Sequence, residues 1–423
     1  MANHAARRST GVRDPGFSEV VSTLFGGNAG KRPGGAKARM PRGRGVLSEL
    51  YLPVLVPAAL LVAYGLLVVW SASLTIAEAS LPRQLLGVAI GLVAAALIWH
   101  YDYRDLANYT TVLLVADIVL FALPMVPGLG YEAKGMTGWI QVPGIGLRLQ
   151  PSEIMKLVTI YLMAGLAAQY NGRIKSFSEY CRLCGMLLVP FVLLLTQDLG
   201  SSLIVLVSGA AIIICAGAKK EWVIPTIVLI VAVCALAIFS SLTPGMPDIL
   251  KEYQLKRLIV FVDPSVDPSG DGYNLAQAMI AIGSGGLFGK GLLHGTQATY
   301  GYLPEAPTDF IFCVLAEELG FVGVVALLAL YIALIMAALR IAREADDLFG
   351  MLIVCAVVGM WLFQILQNIG MTCGLMPITG IPLPFVSYGS SFMVVNFAML
   401  GLIASVCTHH NALGRKGAYA ATH

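Results

Sequence analysis

Acidic residues stand at the start of a long apolar run in the sequence YLPEAPTDFIFCVLAEELG. Pro307 ends the preceding segment and Thr308 can cap a helix, so we expect Asp309 in the first helical turn, where the helix dipole stabilises a carboxylate. Glu317 follows at about 80° around the helix from Asp309. Capping alone can explain Asp309, but a carboxylate two turns deeper is costly in apolar surroundings unless it is paired or functional. Asp309 and Glu317 are therefore candidates to line one cavity.

A second charged group occurs in LRLQPSEIMK, where another apolar run begins. Arg148 precedes the run, and Glu153 and Lys156 share one helix face because they are three residues apart. An ordinary ion pair within the helix explains Glu153 and Lys156 about as well as a functional role does.

The glycine-rich sequence GSGGLFGKG contains one cation, Lys290. Such loops can cradle phosphates, but a nucleotide-binding P-loop needs Gly at position 284 and Ser or Thr at position 291. The chain has Ser284 and Gly291 there, so we expect no nucleotide. Two interpretations remain: Lys290 lies near a phosphate, or the glycines serve tight backbone packing.

Composition indicates that these residues belong to a membrane protein. Only 12% of the 423 residues are charged and 57% are hydrophobic. That leaves more apolar surface than one compact core can bury, which excludes an ordinary cytosolic enzyme. The net charge of +3 is too small to indicate a nucleic-acid partner.

Runs of about 20 apolar residues predict ten membrane helices. Their ranges are 51–75, 84–100, 109–127, 151–169, 183–197, 199–218, 222–243, 309–341, 348–373 and 387–408.

The distribution of basic residues predicts the orientation of these helices. Nine of the 27 Lys and Arg lie in residues 1–46, which lack apolar periodicity and are interpreted as a disordered cytoplasmic tail. The ten-helix domain spans residues 47–410. Because the number of helices is even, the short C-terminal tail, 411–423, is also expected in the cytoplasm. The segment 244–308 becomes a large outer loop, with an interfacial helix in its first half and a re-entrant element in its second. Residues 374–391, uncharged and rich in proline, form a rigid wall at the same outer level.

Several motifs together resemble the SEDS (shape, elongation, division and sporulation) family of bacterial cell-wall polymerases. They are QPSEIMK at 150–156, DPSGDGYNLAQAMIAIGSGGLFGKG at 267–291, LPEAPTDFIF at 303–312, AEELG at 316–320 and MPITGIPLPFVSYG at 376–389. The finer pattern resembles the elongation members, with division and sporulation members as alternatives.

The resemblance implies an all-α membrane fold of the glycosyltransferase C-like kind, with ten helices and a large extracellular loop between helices 7 and 8. It implies a peptidoglycan glycosyltransferase of the bacterial cytoplasmic membrane, which joins lipid II units into glycan strands at the outer face. The expected partners are a class B penicillin-binding protein that cross-links the strands, membrane lipids and other membrane proteins of the elongation complex.

The resemblance also assigns roles to residues. The catalytic carboxylate would be Asp309, acting on a sugar hydroxyl. The resemblance implies functionally important positions at Arg148, Glu153 and Lys156. We predict these three as substrate-binding residues, together with Lys290, Glu317 and Ser387. The cations in this set, or a divalent cation (Mg²⁺ or Mn²⁺), would offset pyrophosphate charge.

Four positions depart from the family pattern: Pro307 replaces a usual His, Gly138 replaces a usual Arg beside Trp139, Ser390 replaces a usual Gly, and Gln197 replaces a common Pro. Two other classes of function also stay open. Charges within the membrane mark the pathways of transporters and lipid flippases, although no convincing internal repeat supports this class. A scaffold without enzymatic activity would tolerate Asp309→Asn.

Overall fold

The computed structural model describes residues 51–409, except 75, 77–78, 128, 134–135, 142–147 and 244. Both predicted tails lie outside the described residues. In chain order the helices are α1 (Leu52–Ser73), α2 (Leu81–His100), α3 (Thr110–Ala122), α4 (Pro151–Ala168), α5 (Phe177–Gln197), α6 (Leu199–Cys215), α7 (Lys220–Leu242), α8 (Glu252–Val262), α9 (Asp271–Ser284), α10 (Thr296–Thr299), α11 (Ile311–Glu344), α12 (Leu348–Thr372) and α13 (Ser390–His409). Single 3₁₀ turns occupy Tyr103–Leu106, Leu123–Met125 and Pro264–Val266.

Helices α1–α7 and α11–α13 coincide with the ten predicted spans, and the mostly helical membrane fold is confirmed. Among the described residues, eight helices are long and apolar enough to cross a membrane. The apolar stretches Thr110–Met125 and Leu199–Cys215 are shorter, so the count of ten crossings stays a prediction. Helix α5 begins six residues before its predicted start because Ser176 and Glu179 form a capping box there.

The helices differ in how much of their surface the protein itself covers. About four fifths of α4, α12 and α13 are buried inside the bundle, whereas α7 is 11% buried and α2 17%. Apolar side chains that stay exposed along a whole helix are expected to face lipid. The central position of α4 and α12 means that their polar residues point into protein rather than into lipid.

Three long connections between helices meet at one end of the bundle, called here the loop end. These connections are residues 123–150, 245–310 and 373–389. Contacts of these connections with helix ends agree with this placement: Gln150 N–H donates to Ser391 Oγ, in the first turn of α13, at 3.2 Å, and Lys251 Nζ donates to the carbonyl of Thr196, in the last turn of α5, at 2.7 Å.

The connection between α3 and α4 contains a small antiparallel sheet that was not predicted. Its strands are β1 (Gly130–Ala133), β2 (Met136–Gln141) and β3 (Arg148–Leu149), in the order β1-β2-β3. Strand β3 pairs Arg148 with Gln141 and leads directly into α4. These strands are too short for their alternating pattern to stand out from sequence alone.

The glycine-rich sequence of the outer loop packs backbone to backbone against α11. The amides of Lys290 and Gly291 donate to the carbonyls of Glu317 and Glu318, each at 2.9 Å. Gly320 interrupts α11 with φ 65° and ψ −165° at this point. The structure therefore shows tight backbone packing for these glycines, and a contact of Lys290 with a phosphate stays a prediction.

Replacement of Gly289 by Ala is expected to weaken this docking. Gly289 has φ +77°, and a Cβ atom there would lie 2.1 Å from the carbonyl oxygen of Glu318. Left-handed backbone alone costs a residue with a Cβ about 1–2 kcal/mol, and the clash adds to this. The thermal unfolding midpoint of Gly289→Ala should fall clearly below that of Gly283→Ala, a control position where a Cβ meets no atom within 4 Å. Equal midpoints would contradict the packing argument.

Candidate functional site

Asp309 lies just before α11 rather than in its first turn, which corrects the expectation from sequence. The helix begins at Ile311, and Phe310 is its N-cap residue without a capping side-chain hydrogen bond. Thr308 Oγ1 instead donates to the Glu305 carboxylate at 3.0 Å, so it does not cap α11. Asp309 is therefore held by the surrounding segments and not by helical geometry.

Three successive carbonyl groups hold the backbone at Asp309. The amide of Tyr388 donates to the Pro307 carbonyl at 2.9 Å, and Ser387 Oγ donates to the Thr308 carbonyl at 2.7 Å. Asn368 Nδ2 donates to the carbonyl of Asp309 itself at 2.8 Å. Residues 374–391, the predicted wall, supply two of these donors, and α12 supplies the third.

The carboxylate of Asp309 faces the same wall. A Cβ atom built on Gly380 would lie 3.2 Å from Asp309 Oδ2, and Gly380 has φ +69°. Asp309 is half-buried. A side chain at position 380 would crowd the carboxylate, so glycine lets the wall backbone lie close to an acidic group that is fixed in place.

Ser387 is fully buried at the loop end. Its hydroxyl donates to the Thr308 carbonyl and accepts from the Leu383 amide at 2.7 Å. Gln84, at the loop end of α2, accepts from the Gly389 amide at 3.0 Å and donates to the Ser387 carbonyl at 3.2 Å. These bonds connect the wall both to α2 and to the segment that contains Asp309. Ser387 therefore links the wall to that segment through the Thr308 carbonyl.

Glu153 and Lys156 form a buried ion pair at the start of α4. Lys156 Nζ lies 2.6 Å from Glu153 Oε1, and the two side chains are 2% (Lys156) and 7% (Glu153) exposed. The second carboxylate oxygen of Glu153, Oε2, is buried and has no hydrogen-bond partner in the described part of the chain. A buried acceptor of this kind is normally satisfied by water, an ion or a ligand. Lys156 Nζ also lies 5.8 Å from the centre of the Phe392 ring.

The wall connects the two charged groups. Its end carries Ser391, which accepts from the Gln150 amide at the start of α4, while its middle carries Gly380 beside Asp309. Arg148 is placed by β3, two residues before Gln150, with its backbone paired to Gln141. The structure thus arranges Asp309, the Glu153–Lys156 pair and the Arg148 backbone around one segment of the loop end.

Lys290 and Glu317 form a separate cluster where the glycine-rich sequence docks on α11. Glu317 is fully buried, and its Oε1 lies 2.6 Å from Lys290 Nζ. The same carboxylate accepts from the amide of Thr296 at 2.9 Å, from Thr296 Oγ1 at 2.7 Å and from the amide of Gln297 at 3.1 Å. Glu317 therefore binds the loop, and the cavity shared by Glu317 and Asp309 stays a prediction.

Lys290→Met is expected to destabilise the protein, because it removes two hydrogen bonds of the ammonium group, to Glu317 and to Thr296 Oγ1. Hydrogen bonds to charged groups contribute about 1.5–3 kcal/mol. The thermal unfolding midpoint should fall while the KM for lipid II, the substrate that the resemblance implies, changes by less than about twofold. A large increase in KM with an unchanged midpoint would instead support the direct phosphate contact predicted from sequence.

The described residues offer few protein ligands for the predicted divalent cation. Within the described residues, no group of three or more His, Cys, Asp or Glu side chains could hold a metal ion. Mg²⁺ commonly takes one or two carboxylates and completes its shell with phosphate oxygens and waters, and Asp309 could supply one such carboxylate. The cation stays a prediction, and the arrangement of Asp309 does not depend on it.

Three polar residues that hold the site or the neighbouring loop were not predicted from the sequence: Gln84, Asn368 and Ser71. Gln84 and Asn368 are fully buried and hold the wall, while Ser71 Oγ donates to the Glu318 carboxylate. Each is a polar residue in or at the edge of an apolar helix, which is costly without a partner. This energetic cost marks such residues in the sequence as ones that need a hydrogen-bond partner, although it does not identify the partner.

Fold and site together define a helical, multi-pass membrane protein with a group of charged residues at one end of its bundle. The family described as "Cell cycle protein" (FtsW, RodA and SpoVE) matches residues 52–412. The chain therefore belongs to the FtsW/RodA/SpoVE family, the SEDS proteins.

Relatives within this family cover most of the chain. MrdB of Escherichia coli (strain K12), a peptidoglycan glycosyltransferase, is 37% identical over 363 residues, which cover 86% of this chain and 94% of MrdB. A probable peptidoglycan glycosyltransferase FtsW of Geobacter sp. (strain M18) is 33% identical over 367 residues, or 84% of this chain and 96% of the relative. A solved chain of a peptidoglycan synthase complex that coordinates polymerization and crosslinking is 29% identical, with TM-score 0.70, and the match covers 85% of this chain and 97% of that one.

Proposed function

We propose that this protein is a peptidoglycan glycosyltransferase that polymerises lipid II into glycan strands at the outer face of the bacterial cytoplasmic membrane. Family membership and the names of its relatives support the class of reaction. The observation that carries the proposal within the molecule is Asp309, a half-buried carboxylate that is fixed through three adjacent carbonyl groups and lies close to the wall at Gly380.

The chemistry needs one base and a cationic surface. A sugar hydroxyl of one lipid-linked glycan attacks the anomeric carbon of another, the bond to the pyrophosphate breaks, and the configuration inverts. Asp309 accepts the hydroxyl proton as the new bond forms. The lipid pyrophosphate leaves with negative charge, which Lys156 and Arg148 offset.

The position of Lys156 suits a charge that changes during the reaction. Its ammonium group is paired with Glu153 on one side. Glu153 Oε2 has no hydrogen-bond partner within the described residues, which indicates a polar space next to the pair. Charges act strongly where water is excluded, so a buried pair can respond to a developing anion more than an exposed lysine can. Lys290, by contrast, is engaged by Glu317, and we assign it to holding the loop.

We propose that the loop end faces outward and that both termini lie in the cytoplasm. Nine basic residues in the first 46 support this orientation, since short cytoplasmic segments are enriched in Lys and Arg. The site then meets the lipid-linked substrate outside the membrane. A class B penicillin-binding protein is the proposed partner, supported by similarity to a chain of a complex that coordinates polymerization and crosslinking.

Among members of the family, we propose a RodA-like role in elongation. The motifs at 267–291 and 376–389 support it, together with 37% identity to MrdB against 33% to the FtsW relative. Depletion of the protein should turn rod-shaped cells into spheres. Filaments with blocked septa would indicate a division role instead.

Reconstitution into liposomes tests polymerisation against lipid transport. Fluorescent lipid II in the outer leaflet should give a ladder of glycan strands, with no faster loss of label to the inner leaflet than in liposomes without protein. Transfer of lipid II across the bilayer without glycan products would favour the flippase class.

A further inference from the structure

A fully buried amide side chain on α12, Asn368, bridges two segments that are far apart in sequence. Its Nδ2 donates to the carbonyl of Asp309 and to the carbonyl of Ile381 in the wall, both at 2.8 Å. Because both partners are acceptors, only the amide nitrogen can face them, which settles the orientation of the side chain. Neither hydrogen of this nitrogen is left for another contact.

Asn368 itself is held firmly. It is 0% exposed and belongs to α12, the most buried of the candidate spans. The backbone carbonyl of Asn368 accepts a hydrogen bond from Thr372 Oγ1, one turn later in the helix, at 3.0 Å. An amide on a rigid central helix is therefore a fixed reference point for the less regular segments on either side of it.

The two carbonyls that it joins belong to the two sides of the site. One is the backbone carbonyl of Asp309, the proposed base. The other is the carbonyl of Ile381, which follows Gly380, where an added Cβ atom would lie beside the Asp309 carboxylate. Asp309 precedes its helix, so helical hydrogen bonds do not fix its backbone. The distance between carboxylate and wall depends instead on contacts such as this bridge.

We propose that Asn368 is a positioning residue for catalysis, which sets the place of the Asp309 carboxylate relative to the wall through the backbone carbonyls of Asp309 and Ile381. It does not touch the substrate. The inference rests on the proposed function. Misplacement of a reacting group by about 1 Å can cost about 100-fold in rate, so a positioning residue acts mainly on kcat.

A matched neighbour separates positioning from stability. Gln367, 6% exposed on the same helix, also donates to a wall carbonyl, but its acceptor is Pro377, at 2.9 Å, rather than the backbone of Asp309. Asn368→Asp and Gln367→Glu are isosteric changes that each turn a donor into an acceptor. A merely structural role predicts the same effect for both.

The test measures kcat, KM and thermal unfolding of the purified full-length chain with lipid II, in wild type and both variants. We expect kcat of Asn368→Asp to fall about 10- to 100-fold with KM within about twofold, and kcat of Gln367→Glu to stay within about threefold of wild type. At lower pH the carboxyl group introduced by Asn368→Asp gains a proton and so regains one donor, and the kcat ratio of this variant to wild type should rise. Equal kcat losses in the two variants, or a loss confined to KM, would overturn the proposal.

Should the acidic variants not fold, Asn368→Ala and Gln367→Ala are compared in the same way, with the same expected difference in kcat. The outcome is also distinct from failure of the proposed function. Absence of polymerisation by the wild type would reject that function. Active wild type, inactive Asp309→Asn and fully active Asn368 variants would reject only the positioning role.

Discussion

Asp309→Asn should lower the rate of lipid II polymerisation by at least about 100-fold while the protein remains folded. General bases contribute about 10²- to 10⁴-fold to catalysis, and an amide cannot accept the hydroxyl proton. The substitution is isosteric and leaves the backbone carbonyl of residue 309 able to accept from Asn368, as in the wild type. The loss should therefore appear in kcat rather than in the thermal unfolding midpoint.

An acidic residue at the same end of the bundle provides the control for this experiment. Asp248 is exposed in the outer loop and has no assigned role, so Asp248→Asn should keep polymerisation within about twofold of wild type. Equal activity of Asp309→Asn and wild type would remove the carboxylate from the chemistry and favour a scaffold function.

Lys156→Met should have the second large effect, on stability as well as on activity. The substitution leaves the Glu153 carboxylate buried without its charge partner, and breaking a buried pair in this way costs about 3–5 kcal/mol. Polymerisation should be lost. The thermal unfolding midpoint in detergent reports the first effect, and glycan formation at a temperature where the variant is folded reports the second.

A double variant separates the two roles of this ion pair. Glu153→Leu combined with Lys156→Met replaces both charges by apolar groups of similar size, which is often neutral for stability. We expect the unfolding midpoint to return towards that of wild type while polymerisation stays lost. Recovery of activity together with stability would mean that the pair is structural, the simpler interpretation of its i, i+3 spacing.

Apolar run length and charge placement were sufficient to locate the helices, because both follow directly from the cost of exposing polar groups to lipid. The ends of helices were harder to locate, and α5 begins six residues early because its capping box lies in a polar stretch. The glycine-rich sequence left packing and phosphate contact open, and its backbone docking against α11 became visible only in the structure.

The arrangement of the site could be predicted only in part. Glu153 and Lys156 were expected to pair because they are neighbours on one helix. The pairing of Lys290 with Glu317, and of Asn368 with Asp309, joins residues 27 and 59 positions apart. Such contacts depend on how helices and loops pack, which no local pattern encodes. For the same reason the position of Asp309 outside the helix was not foreseen.

The most direct test of the account is glycan synthesis by the purified full-length protein, alone and with its class B penicillin-binding protein, from fluorescent lipid II in detergent or liposomes. We expect a ladder of glycan strands from the wild-type protein, strongest with the partner present, and none when Asp309→Asn replaces the wild type in the same complex. No ladder from the wild type in the presence of the partner, or equal ladders from the wild type and Asp309→Asn, would contradict it.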